Sequence, residues 1–269
     1  MRIAWYGTAA LLFEEGETAL AFDPFLGIPP DEKHPEERLP GCAEDFRRAG
    51  HVFVTHGHFD HILEIPAIFR GTGAKIHATR TPCETLLREG VPREALRPLS
   101  PGDEVRVGPF RVRAFQGRHC RFDGKLVLKT LFSGRTLRRA GHMLRLLRWN
   151  GRYPEKGETL FYELACGEKR VQIMGSLGLD PAVAYPTGAD LLILPLQGRS
   201  DLLSAGREIV ERLRPKEVVL DHYDDSFPPM TGRVEVKEFE KLIGERCGVP
   251  CRALEKDRPI DWERSGHRG

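Results

Sequence analysis

The chain has no long apolar run: nowhere does it approach the roughly 18 consecutive apolar residues of a membrane-spanning helix. Its opening, MRIAWYGTAALLFEEG, carries acidic residues where a signal peptide would have its cleavage region, so a cytoplasmic protein is expected. Charge of one sign is lacking too. The 41 basic side chains face 39 acidic ones, for a formal charge of +2, and no global field draws the protein toward nucleic acid or anionic lipid. Any such partner must use a local patch. The six cysteines form no CxxC pair and are read as reduced thiols in a chain too large to need disulfide staples. Only Cys247 and Cys251, four apart, are spaced to pair or share an ion, and no second Cys or His pair stands near them. Repeats and low-complexity segments are absent as well.

What is present is 269 residues with 40% hydrophobic content, enough for a substantial core. RIAWYG, ALLFEE and TALAFDP are short β-prone runs separated by Gly and acidic turns, which predicts an opening antiparallel meander. Residues 27 to 45 are proline-rich and charged and read as a loop. HVFVT reads as a buried strand, followed by a short helix with Pro66 in its first turn and running through Phe69, and by a strand over 76 to 79. TPCETLLREG predicts a helix capped by Thr81 with Pro82 at its first position. DEVRV, FRVRAFQG, RVQIMGS, ADLLILPL and EVVLDHY read as strands, Ser204 to Leu213 and VEVKEFEKLIGERCG as helices, and CRALE as a closing strand. Strands followed by helices, twice over, imply an α/β protein with two sheets and helices outside them.

The stretch THGHFDH, residues 55 to 61, crowds three histidines and an aspartate into seven positions. In a strand, side chains at i and i+2 share a face, so His56 and His58 are expected to converge on one ion as HVFVT ends. Asp60 and His61 follow the turn at Gly57 and suit a second ion. Imidazole and carboxylate are the donors that zinc, iron(II) or manganese accept. The bland alternative, a solvated histidine-rich loop, does not explain the spacing.

HxHxDH at the end of a strand makes the sequence resemble the metallo-β-lactamase superfamily, and the resemblance covers most of the chain. WYGTAALLFEEGETALAFDPF looks like its opening meander, with Asp23 at the position that supports the metal loop; GADLLILPL, RLRPKEVVLDHYD and the closing helix and strand match its second half. Within the superfamily the order is most similar to the group of cytoplasmic hydrolases containing L-ascorbate-6-phosphate lactonase. The resemblance implies a single domain over 1–269 with a four-layered αββα sandwich of two mixed sheets. It implies one metal on His56, His58 and His119, and a second on Asp60, His61 and His222. It also implies a metal-dependent hydrolase in which activated hydroxide attacks an ester, lactone, amide or phosphoester of a small-molecule substrate, with Asp60 orienting the water or passing its proton.

One position departs from the family pattern. Where the pattern has Gly-Asp, with the carboxylate bridging both ions, this chain has Gly175 and Ser176, and a hydroxyl is a poor substitute for a bridging carboxylate. Asp180, four residues on, is the alternative carboxylate. The expected cofactor is one or two zinc ions, with iron or manganese as competitors. Two other functions stay open beside the hydrolase: a degenerate metal binder without activity, and a mononuclear iron enzyme.

Between Lys125 and Arg152 the chain carries eight basic residues and no acidic one, interleaved with leucines, Phe132, Met143 and Trp149. This basic amphipathic insertion, spanning about 121–155, has three readings: an arginine-lined lid for an anionic substrate, a peripheral membrane contact, and a solvated helix face packed on the body. Nucleic acid is disfavoured by the balanced charge and by the lack of the added domains of RNA-processing relatives.

Overall fold

A computed structural model describes residues 1–27, 46–120, 132, 134–256 and 258–262. Two seven-stranded sheets face each other. The first contains β1 (Arg2–Trp5), β2 (Leu11–Glu15), β3 (Thr18–Phe22), β4 (His51–Phe53), β5 (Lys75–Ala78), β6 (Leu96–Pro98) and, at its far edge, β14 (Ile260–Asp261). The second contains β7 (Glu104–Val107), β8 (Phe110–Gln116), β9 (Leu160–Cys166), β10 (Lys169–Met174), β11 (Leu191–Pro195), β12 (Val218–Asp221) and β13 (Cys251–Ala253). Each sheet is mixed. The first runs antiparallel from β14 through β3 and parallel from β3 to β6; the second is antiparallel from β7 to β10 and parallel from β10 to β13.

Period-2 alternation divides each strand of the first sheet between two cores. Ile3, Trp5, Leu11, Phe13, Leu20, Phe22 and Phe53 face the second sheet, where Phe22 and Phe53 meet Tyr162, with Ile173 paired beside it. Ala4, Leu12, Ala21 and Val52 face outward, into a second cluster with Phe59, Ile62, Ile65 and Leu86. Those last residues belong to three helices on the outer face: α1 (Phe59–Ile62), α2 (Ile65–Thr72) and α3 (Arg80–Arg88). Two further helices, α4 (Gly134–Arg138) and α5 (Ala140–Arg152), fall between β8 and β9, and Leu146 of α5 enters the same outer cluster. The second sheet is covered by α6 (Leu202–Leu213) and α7 (Lys237–Cys247), through Ile209, Val210, Leu213, Phe239 and Ile243. The layers are therefore αββα, as the resemblance implies.

Several local expectations are corrected. β4 stops at Phe53, so His56 and His58 lie beyond the strand and the i, i+2 rule does not position them. Helix α3 starts at Arg80 with Thr79 as its cap, not at Thr81. A partner remote in sequence serves this end of the helix: Glu158 accepts hydrogen bonds from both the Thr81 amide (2.7 Å) and its hydroxyl (2.7 Å), so its carboxylate satisfies a first-turn amide of α3. Helix α2 continues past Phe69 to Thr72, where Gly73 takes a left-handed conformation (φ 68°). Strands β6, β9 and β14 were not foreseen. The five cysteines among the described residues are all free, Cys247 and Cys251 included. The loop expected over 27 to 45, apart from Gly27, lies outside the described residues, as do Lys125, Lys129 and Leu131.

Candidate metal centre

The six residues expected at the site come from the carboxyl ends of strands, where open parallel sheets place their ligand crevices. Residues 54 to 58 follow β4 as irregular backbone with a bend at Thr55, and His58 (φ −66°, ψ 153°) stands at the N-terminal boundary of α1, whose first turn carries Asp60 and His61. His119 follows β8, and His222 follows β12 in a left-handed conformation (φ 51°). His56, His58 and His119 form one group, and Asp60, His61 and His222 a second, with the potential ligand atoms of each group within 4.8 Å of one another. The groups adjoin: the ring centroids of His56 and His61 lie 3.9 Å apart.

Hydrogen bonds fix which nitrogen each ring has left to offer. His119 Nδ1 lies 2.7 Å from the Cys120 carbonyl, which can only accept, so Nδ1 carries the proton and Nε2 is open. His61 Nδ1 lies 2.9 Å from Asp23 Oδ2, with the same consequence. Thr55 donates its one hydroxyl proton to Asp23 Oδ2 (2.5 Å), so its oxygen accepts from His56 Nδ1 at 3.1 Å. Asp23, itself left-handed (φ 43°), also accepts the Thr55 amide on Oδ1 (2.7 Å). The carboxylate expected to support the metal loop thus holds His61 directly and His56 through Thr55. Hydrogen bonds of this kind set ring orientation and raise ligand basicity.

Electrostatics separates the two groups. Burial, reinforced by the other histidines, drives the His56 pKa well below its ordinary value, and burial lowers that of His58 to about 4. His119 is lowered by burial as well. These rings are neutral imidazoles at neutral pH, the form that binds a metal. In the second group burial opposes ionisation of Asp60, yet His61 and His222 hold its carboxyl below the usual carboxylate range; Asp60 Oδ2 lies 3.5 Å from His61 Nε2 and 3.3 Å from His222 Nε2. For His222, burial acts downward, but the hydrogen bond and charge of Asp60, with Asp221 behind it, raise the pKa overall.

Ser176 is buried beside this centre, with a role the sequence does not suggest: its Oγ accepts the Cys120 amide at 2.9 Å and so ties the loop bearing His119 to the end of β10. Asp180 belongs to neither group. Its Oδ1 accepts the Ala182 amide (2.9 Å) and its own amide donates to Tyr185 (3.0 Å), so the alternative bridging carboxylate is engaged in its own turn. Sequence reasoning missed Thr55 and Asp221, which directly precede His56 and His222, and two residues with no local signal, Thr8 and Glu155. Thr8 accepts the His222 amide on its carbonyl (2.8 Å). Asp221 is fully buried, with neither carboxylate oxygen hydrogen-bonded, and burial raises its pKa far above the ordinary value. Glu155 lies near enough to His58 and His119 to favour their charged forms.

The donor set fits a borderline divalent ion: five imidazoles and one carboxylate, three of the rings oriented by partners on Nδ1. The fold and this histidine-rich crevice are those of a metallo-hydrolase scaffold. The model of the β-lactamase superfamily domain matches residues 18–223, and the chain belongs to the metallo-β-lactamase superfamily. Among curated relatives it is similar to the UPF0173 protein PF0020 of Pyrococcus furiosus, 25% identical over 248 residues, which is 91% of this chain and 92% of that one. It is also similar to a UPF0173 metal-dependent hydrolase of Pyrobaculum arsenaticum, 31% identical over 108 residues, 40% of this chain and 45% of the relative. Among solved structures, Igni18, a metallo hydrolase of Ignicoccus hospitalis, superposes with a TM-score of 0.61 at 17% identity, covering 96% of this chain and 97% of that one, which supports the shared fold.

Proposed function

We propose that this chain hydrolyses an ester-type bond, in a carboxylic ester, lactone or phosphoester, of a small anionic molecule, with zinc as its ion. It is a metal-dependent hydrolase of its superfamily, and the observation that carries the finer reading is the adjacency of two three-residue donor groups in one crevice. A divalent ion held there lowers the pKa of bound water toward neutrality and polarises the oxygen of the scissile group. His56, His58 and His119 would hold one ion as neutral ligands, and Asp60, His61 and His222 a second. Asp60, kept ionised by its two histidines, is too weak a base to carry a proton far, so its carboxylate orients the attacking water by accepting a hydrogen bond. Asp23 and Thr55 keep the rings of His56 and His61 from turning. The free cysteines suit a reducing cytoplasm.

The test is elemental analysis after reloading with zinc, iron or manganese, combined with turnover of generic phosphodiesters, esters and lactones. His58→Ala and His222→Ala should each abolish turnover while the far-ultraviolet circular dichroism is kept. Absence of stoichiometric metal after reloading, or turnover that survives both substitutions, would refute the reading.

A further inference from the structure

The insertion between β8 and β9 carries a surface that the metal centre does not use. Five large apolar side chains among the described residues are markedly exposed, and four are packed into it: Phe132 at 76%, Leu137 at 71%, Leu144 at 60% and Leu147 at 49%. The fifth, Leu87 at 40%, lies on α3, whose end is joined to the end of α5 by an ion pair between Glu89 and Arg152 (2.7 Å). Leu144 and Leu147, three apart, share the outer side of α5, while Met143 and Leu146 are buried on the opposite side. On α4 and α5 themselves the charge has one sign. Arg138, Arg139 and Arg148 face solvent, and from 134 to 152 there is no acidic residue.

We propose that this face docks on an anionic lipid bilayer, with α5 lying in the plane of the headgroups. At about 1.5 Å per residue α5 is about 20 Å long, well short of the hydrocarbon core, and among the described residues no helix is long and apolar enough to cross a membrane. Leucines on one side with arginines flanking them are the pattern of an interfacial helix. A two-fold dimer through α4 and α5 would set arginine against arginine with no acidic residue on either helix to answer, which disfavours a second copy. The face is tied to the catalytic body: Leu146 shares a cluster with Phe59 and Ile62 of α1, and a Cβ on Gly57 would meet the Pro154 carbonyl at 2.5 Å. Docking would therefore hold the metal loop near the bilayer surface.

The experiment is co-sedimentation of the full metal-loaded chain with vesicles of phosphatidylcholine mixed with phosphatidylglycerol, against vesicles of phosphatidylcholine alone. The protein should pellet with the mixed vesicles at low salt and be released as salt rises. Replacing Arg138, Arg139 and Arg148 together by Ser should weaken binding about a hundredfold, at about 1 kcal/mol per arginine. Leu144→Ser with Leu147→Ser should also weaken it and leave the salt dependence of the residual binding intact. All five side chains are solvent-facing, so thermal melts should coincide with the parent's. Failure of the parent to pellet with mixed vesicles at low salt, or equal pelleting with phosphatidylcholine alone, would overturn the proposal. So would a concentration-dependent dimer that the leucine variant dissolves, which would assign the face to a second copy. Since the readout is binding, its failure is distinguishable from failure of the hydrolase reading.

Discussion

The two donor groups share a loop but are built on opposite principles. His56, His58 and His119 are three neutral rings, two of them oriented through Nδ1, with pKa values pushed down by burial. Asp60, His61 and His222 carry a carboxylate, and there His222 is pushed the other way; its Nδ1 is buried with no hydrogen bond, beside the equally unbonded Asp221. The first group is organised before an ion arrives and competes with protons only in acid. The second gains affinity from charge but is less fixed in geometry and more exposed to proton competition. Equal ligand counts thus do not make equal sites.

Removing a ligand breaks the comparison most severely. His58→Ala should empty the first group and His222→Ala the second, each weakening metal binding at its own site beyond the roughly 10- to 100-fold expected for loss of a supporting residue, measured by competition with a chelating dye. Asp23→Asn comes next. Because Asp23 serves His61 directly and His56 through Thr55, it should weaken both sites, each by about 10- to 100-fold, whereas Asp221→Asn should affect the second alone. Equal loss at both sites from Asp221→Asn would contradict the asymmetry.

Acidification sharpens the contrast further. A histidine with a raised pKa is protonated, and lost as a ligand, at a higher pH than an ordinary imidazole, so the second group should release its ion first. With all three of its rings lowered by burial, the first group should hold its ion to a lower pH than the second. Metal content followed against pH should fall in two steps, and a single step near neutrality would count against it. The smallest change is Ser176→Asp, which should tighten the second site and move its release to lower pH; unchanged release would mean that the second site is weak for reasons other than the missing carboxylate.

The parts of this site differ in how legible they are in the sequence. Four of the six donors stand within six residues, so local spacing alone announces a metal loop. His119 and His222 are ordinary histidines until β8 and β12 are aligned in their sheet, and they were reached only through the resemblance. Thr8, Glu155 and Glu158 act across long separations and leave no periodic trace. The same holds for the start of α3, where Thr81 looked like a cap and its partner Glu158 is invisible from its neighbours. The first three strands are readable as apolar runs because both of their faces are buried, while β6 and β14 are short strands at the sheet's edges, with only three and two residues of pattern.

Gly175 carries a consequence for how such a site can change over time. A Cβ there would come within 2.5 Å of the Thr55 Cβ and closer still to the hydroxyl that links His56 to Asp23. The end of β10 and the start of the metal loop therefore meet at one point where no side chain fits beside Thr55. Retuning toward new substrates falls instead to the rim of the crevice, where the outward faces of α4 and α5 can vary while Leu146 and Pro154 keep their contacts with the metal loop.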